Sequence, residues 1–138
     1  MAKEVVTLDS SVLIELLNRA APQHDVALSA FMAEQPPYLI PAGILGELTY
    51  MVERRLGPAI LDALLEDIES GAYSIECGEA DLSAIRELLK RYADLSLGFS
   101  DAAVVACAQR SGGRVMTFDL RDFGPIARDG RITLVPSS

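Results

Sequence analysis

Apolar runs of strand length alternate along this chain with stretches patterned for helices, and that alternation restricts the fold more than any other feature. "VVTL" at residues 5–8 passes through Asp9-Ser10-Ser11 into "VLIELLNRA", a buried strand feeding a capped helix. A second helix is expected over Asp25 to Glu34. "QPPYLIP" follows as a loop and a very short strand. Pro41 is expected in the first turn of a third helix, where its missing N–H costs little, and that helix runs to about Leu56. "AILDALLEDIES" makes a fourth helix ending at Gly71, and "AYSIEC" is a strand candidate. "EADLSAIRELLKRYADL" is strongly amphipathic, with Ile85, Leu88, Leu89 and Tyr92 on one stripe. "GFSDAAVVACAQRSGG" opens on a Ser/Asp cap and closes on Gly112-Gly113, before the strands "RVMTFD" and "RITLVP". Strands separated by helices imply a parallel sheet covered on both faces.

The 138 residues suit one domain with one core, and no internal repeat, linker or low-complexity stretch divides them. Half the chain is apolar and 23% is charged, a folding composition. Apolar runs fall well short of the roughly 18 residues of a membrane span. The start, "MAKEVVTLDSS", enters a strand pattern with no cationic leader or apolar signal core. Cys77 and Cys107 show neither a CxxC nor a Cys/His spacing, so no zinc site or disulfide framework is expected, and Cys107 reads as a small core residue. Together these features predict a soluble cytoplasmic protein. The net charge of −8 supplies no overall attraction for nucleic acid, but it suits a divalent cation or a basic protein partner.

In open parallel sheets ligands bind beyond the carboxyl ends of the strands. Asp9 follows the first strand and Asp119 follows "RVMTF", so both belong to that edge. Asp101 lies in the first turn of the helix before "RVMTF". Glu47 is the single charge in "AGILGELTYM", flanked on one helical face by Ile44 and Met51, and is expected on the apolar side of its helix. Taken singly, each aspartate also reads as a helix cap or dipole partner, and Glu47 as half of an ion pair. Gathered in one cleft, they cannot all remain ionised without a cation. No lysine or histidine in the flanking motifs supplies one, and His24 reads as a surface residue of a polar turn. Mg2+ or Mn2+, hard ions with oxygen ligands, resolves the repulsion and supports metal-assisted hydrolysis of a phosphodiester. Arg54, Arg55 and Arg121 are the candidate phosphate contacts near these motifs.

"VVTLDSSVLIELL", "AGILGELTYM", "LSLGFSDAAVVACAQ" and "VMTFDLRDF" resemble, in order and separation, the four acidic signatures of PIN-domain ribonucleases. The likeness is nearest to VapC toxins of bacterial toxin–antitoxin modules and spans Val5 to Pro136. It implies a PIN-like α/β fold with a central parallel sheet of four to five strands flanked by helices, forming one nuclease domain over residues 1–138. It also implies Mg2+- or Mn2+-dependent endonucleolytic cleavage of RNA, leaving a 5′-phosphate and a 3′-hydroxyl. By position, Asp9, Asp101 and Asp119 match the family's metal-binding aspartates, and Glu47 matches the glutamate that helps hold metal or orient water. Ser10 and Thr117 match the hydroxyl positions beside the first and last acids, and Asp122 matches a further acid. The resemblance also implies a cognate VapB-like antitoxin, whose C-terminal segment wraps the toxin, a homodimer, and a larger toxin–antitoxin assembly.

Two other Mg2+-binding classes place an aspartate after a strand. Receiver domains need a lysine near the acidic pocket, yet the only lysines are Lys3 and Lys90. Aspartyl-nucleophile phosphatases need an acid two residues beyond the first aspartate, where this chain has Ser11. A PIN-like scaffold that only docks a partner is the non-enzymatic alternative, but such degenerate domains lose acids and all four are present here.

Overall fold

A computed structural model describes residues 5–136 of the chain. Strands β1 (Val6–Leu8), β2 (Tyr38–Pro41), β3 (Ser74–Glu76), β4 (Arg114–Met116) and β5 (Thr133–Val135) form one sheet in the order β3-β2-β1-β4-β5. Every pairing is parallel, with Val6 opposite Tyr38 on one side and Arg114 on the other. This is the five-stranded, helix-flanked parallel sheet expected of a PIN-like fold. β1 is buried along its whole length, the polar Thr7 included, because helices cover both faces.

The helices are α1 (Ser10–Leu17), α2 (His24–Met32), α3 (Leu45–Leu56), α4 (Pro58–Glu69), α5 (Leu82–Arg91), α6 (Phe99–Arg110) and α7 (Leu120–Arg128). Gly57 separates α3 from α4 at φ 94°, a left-handed backbone that favours glycine, and Pro58 then opens the next helix. Helix α6 buries every residue from Ala102 to Ala108, so it is apolar all round. Its small side chains permit close approach: a Cβ on Gly43 would lie 2.8 Å from the Cβ of Ala103. Among the described residues, no helix is long and apolar enough to cross a membrane.

Three local expectations need correction, and one is extended. Pro41 closes β2, and a 3-10 turn over Ala42–Ile44 intervenes before α3, so the proline serves as an extended residue rather than a helix starter. Gly98, not Ser100 or Asp101, is the N-cap of α6, and no side chain caps it, which leaves both polar residues available for the cleft. Asp119, which singly also read as a cap, does cap a helix, and α7 runs from Leu120 to Arg128. The cysteines, expected to be unpaired, form a Cys77–Cys107 disulfide with a Cα–Cα distance of 5.7 Å. They are 30 residues apart, and only the packing of the loop after β3 against α6 makes them neighbours.

The strand order positions the site. From β1 the chain moves outward through β2 to β3, then returns to place β4 on the other side of β1. The crevice between the carboxyl ends of β1 and β4 is therefore the point where the winding reverses, the standard location for a ligand in an open parallel sheet.

Candidate functional site

Asp9 leaves β1 at this crevice as the N-cap of α1, and Asp119 follows β4 as the N-cap of α7. The Asp9 N–H donates to the Met116 carbonyl at 3.1 Å, which ties the two strand ends together. Asp101 arrives from the first turn of α6, and Glu47 from the first turn of α3. Asp9, Glu47, Asp101 and Asp119 line one cleft of about 290 Å³, shared with Ser10, Ser11, Glu15 and Arg55. The four acids separated by up to 110 residues of chain thus meet at a single surface.

Asp101 and Asp119 of the cleft gather Asp122 beside them: one carboxylate oxygen from each lies within 4.8 Å of the others. All three are half-buried. Asp122 owes its place to α7, whose first turn brings its N–H to Asp119 Oδ1 at 3.1 Å. Burial, a shared hydrogen bond with Asp122, and the charges of Asp122, Asp9 and Asp119 push the Asp101 carboxyl up to about 7. Asp119 is also raised, chiefly by burial, with its Asp122 and Asp9 neighbours adding to the shift and the Asp122 N–H opposing it. Burial is the largest cause of both shifts and the neighbouring carboxylates add to it, a charge crowding that an oxygen-liganded divalent cation relieves.

Asp9 is buried to 6% exposure, yet its charge is supported. The hydroxyls of Ser11 and Thr117 lie 2.8 Å from Asp9 Oδ2 and donate to it. Each hydroxyl also accepts a backbone N–H, Ser11 from Phe118 at 3.1 Å and Thr117 from Asp119 at 2.9 Å. Both protons being committed to Asp9, the 3.1 Å separation of the two hydroxyl oxygens is a close packing contact. The side-chain bonds of Asp9 all fall on Oδ2, so Oδ1 remains for a ligand. Thr117, read from the sequence as the hydroxyl beside the last acid, bonds to Asp9 Oδ2. Ser10 lines the cleft, but Ser11 is the serine that fastens the site, and the sequence signal for it was the doubled serine after Asp9.

Glu47 departs from expectation in its setting. The buried stripe of α3 is Leu48 and Val52, continued from Ile44 in the preceding turn, and Glu47 is exposed. It stands at the mouth of the cleft, where Ser100 Oγ donates to its Oε2 at 2.9 Å across the gap between α3 and α6. Open-water access, rather than a paired charge, removes the cost of placing it beside apolar neighbours.

The chain is thus a parallel α/β protein with an acid-walled crevice at its winding reversal. The chain belongs to the PIN-domain family, whose model matches residues 6–128. It is 29% identical over 134 residues to Ribonuclease VapC26 of Mycobacterium tuberculosis, covering 94% of this chain and 98% of the relative. Its fold is similar to that of the sarcin–ricin loop cleaving toxin VapC20 of Mycobacterium tuberculosis, with a TM-score of 0.78 at 23% identity over 88% of this chain and 94% of that one. VapBC2 of Rickettsia felis, bound to a DNA fragment from its promoter, gives a TM-score of 0.68 at 17% identity over 94% and 96% of the two chains. FitAcB of Neisseria gonorrhoeae gives 0.62 at 19% identity over 94% and 95%. The resemblance read from the four acidic motifs is borne out.

Proposed function

We propose that this protein is a divalent-metal-dependent endoribonuclease of the VapC type, the toxin of a type II toxin–antitoxin pair, acting in the cytoplasm as one nuclease domain over residues 1–138. The observation that carries this reading is the meeting of Asp9, Glu47, Asp101 and Asp119 in one cleft of a PIN-family chain, with Asp122 drawn in beside them. A ribonuclease and an RNA-loop-cleaving toxin among its relatives support RNA as the substrate.

The donor set fits Mg2+ or Mn2+: three crowded carboxylates, no sulfur or imidazole, and two acids whose protons are held too tightly in the absence of a cation. Asp101, Asp119 and Asp122 would hold the ion, with Asp9 Oδ1 as a further oxygen beside them. When bound, the ion neutralises phosphate charge and lowers the pKa of an attacking water. The rest of the work belongs to side chains of the fold. Ser11 and Thr117 fix the Asp9 carboxylate in orientation through their hydroxyl donors. Ser100 holds the Glu47 carboxylate at the cleft mouth, in water, where it is suited to orient the nucleophile or take its proton. Addition of the water oxygen to phosphorus and departure of the 3′-oxygen with a proton leaves a 5′-phosphate and a 3′-hydroxyl.

The partner is a VapB-like antitoxin, a reading supported by the VapBC2 and FitAcB relatives and by a cleft whose charge invites a basic peptide. A homodimer and a larger assembly with the antitoxin belong to the same reading. The test is RNA cleavage with Mg2+ or Mn2+ against EDTA, beside Asp9→Asn and Asp101→Asn. Cutting that needs the metal and is lost in both folded variants is expected. Undiminished activity in chelator, or in both variants, would overturn the proposal.

A further inference from the structure

From the geometry of the cleft, and resting on the ribonuclease reading above, we infer that Arg55 is the residue that positions the RNA backbone, by taking a phosphate next to the one that is cut. The cleft presents a problem for a polyanion: its wall carries Asp9, Glu15, Glu47, Asp101 and Asp119, and the chain as a whole is at −8. A metal ion offsets charge only at the scissile phosphate. The neighbouring phosphates need a second cation, and Arg55 is the one positively charged residue among those lining the cleft.

Helix α3 explains its placement. Glu47, Met51 and Arg55 follow one another at i, i+4 and i+8, so they form a stripe along the cleft side of the helix. Glu47 and Arg55 are separated by roughly 12 Å along the helix axis. Met51 between them is a flexible apolar surface. The stripe thus runs from the acids to a cation, over an apolar step. The other two arginine candidates are disposed differently. The Arg54 guanidinium lies over the Tyr50 ring, 5.8 Å from its centroid, and Arg121 is not among the residues lining the cleft.

Glu15, on α1, makes an independent case for a cation here. Its Oε2 is shut off from solvent and has no hydrogen-bond partner among the described residues, a costly arrangement for a carboxylate. Arg55 is exposed and makes no ion pair among the described residues. A guanidinium has five donors in a planar fork, enough to serve the Glu15 carboxylate on one edge and a phosphate on the other.

The test uses steady-state cleavage of a labelled single-stranded RNA pool by the full chain with Mg2+ or Mn2+, over a series of salt concentrations. Arg55→Ala is expected to raise KM about tenfold, the loss of one charge-assisted phosphate contact, while kcat stays within about twofold. The salt dependence of log KM should fall by about 0.7, the share of one phosphate contact on a single strand. Arg55→Lys should recover part of the KM, and Arg54→Ala should behave as the unsubstituted chain. An unchanged KM and salt slope in Arg55→Ala, with normal cutting by the parent, overturns the inference. So does a drop in melting temperature with KM unmoved, which would give Arg55 a role in the fold alone. A parent protein that cuts no RNA with either metal refutes the ribonuclease reading itself.

Discussion

The Cys77–Cys107 disulfide makes the most quantitative prediction. It closes a loop of 30 residues and pins the connection after β3 to α6, the helix whose first turn carries Asp101. Constraining the unfolded chain over a loop of that length contributes about 3.6 kcal/mol at 25 °C by chain entropy. Cys107 is fully buried among small apolar residues, where a free thiol is tolerated, so reduction should cost close to that entropy alone. For a chain of this size the loss corresponds to a fall in melting temperature of about 10 °C. Substitution should divide by backbone preference, because Cys77 sits at φ 69°. Cys77→Ala removes the bridge and keeps a left-handed non-glycine residue, whereas Cys77→Gly removes it and relieves about 1 kcal/mol of that conformational cost. Thermal and urea unfolding with and without dithiothreitol measure these differences, with thiol titration to verify that the bridge has opened. Identical midpoints in the oxidised and fully reduced protein, or Cys77→Gly less stable than Cys77→Ala, would refute the reasoning.

Two further predictions concern the cleft. Thr117→Val strips Asp9 of a donor and leaves the Asp119 N–H without its acceptor, so a loss of about 2 kcal/mol and a marked fall in cleavage are expected. Ser11→Ala should behave similarly and Ser10→Ala should not, a contrast that urea midpoints and RNA cleavage rates check directly. The second concerns pH. Asp101 is pushed up to about 7 while the unfolded chain releases that proton near its ordinary value of 3.8, so between these limits the native state binds more protons. Stability of the metal-free protein should therefore fall as pH rises from about 4 to about 7 and level off above, by urea unfolding in chelator. Mg2+ or Mn2+ at neutral pH should restore it by binding the native state alone, and Asp101→Asn should flatten the pH profile and diminish the metal's effect.

What the sequence determined by itself is whatever depends on near neighbours. The order of strands and helices follows from apolar periodicity, and a parallel sheet with intervening helices sends Asp9 and Asp119 to one edge, because each directly follows a strand that must point that way. The motif resemblance extended this to Asp101 and Glu47, and the cleft contains both. Contacts between distant segments were decided only in three dimensions. Thr117 reaches Asp9 across 108 residues and meets Ser11 there, and the doubled serine could not reveal which hydroxyl turns inward, since that depends on where β4 lies against β1. Asp122 joins the acids because α7 begins at Asp119 and turns its first residues back into the crevice. Glu47 keeps its neighbours Ile44 and Met51 but faces water, since one helical face cannot be assigned to core or cleft until the opposing helix is placed. The disulfide was invisible for the same reason: two cysteines 30 residues apart carry no spacing signal, and only the docking of the β3 loop onto α6 brings their sulfurs together.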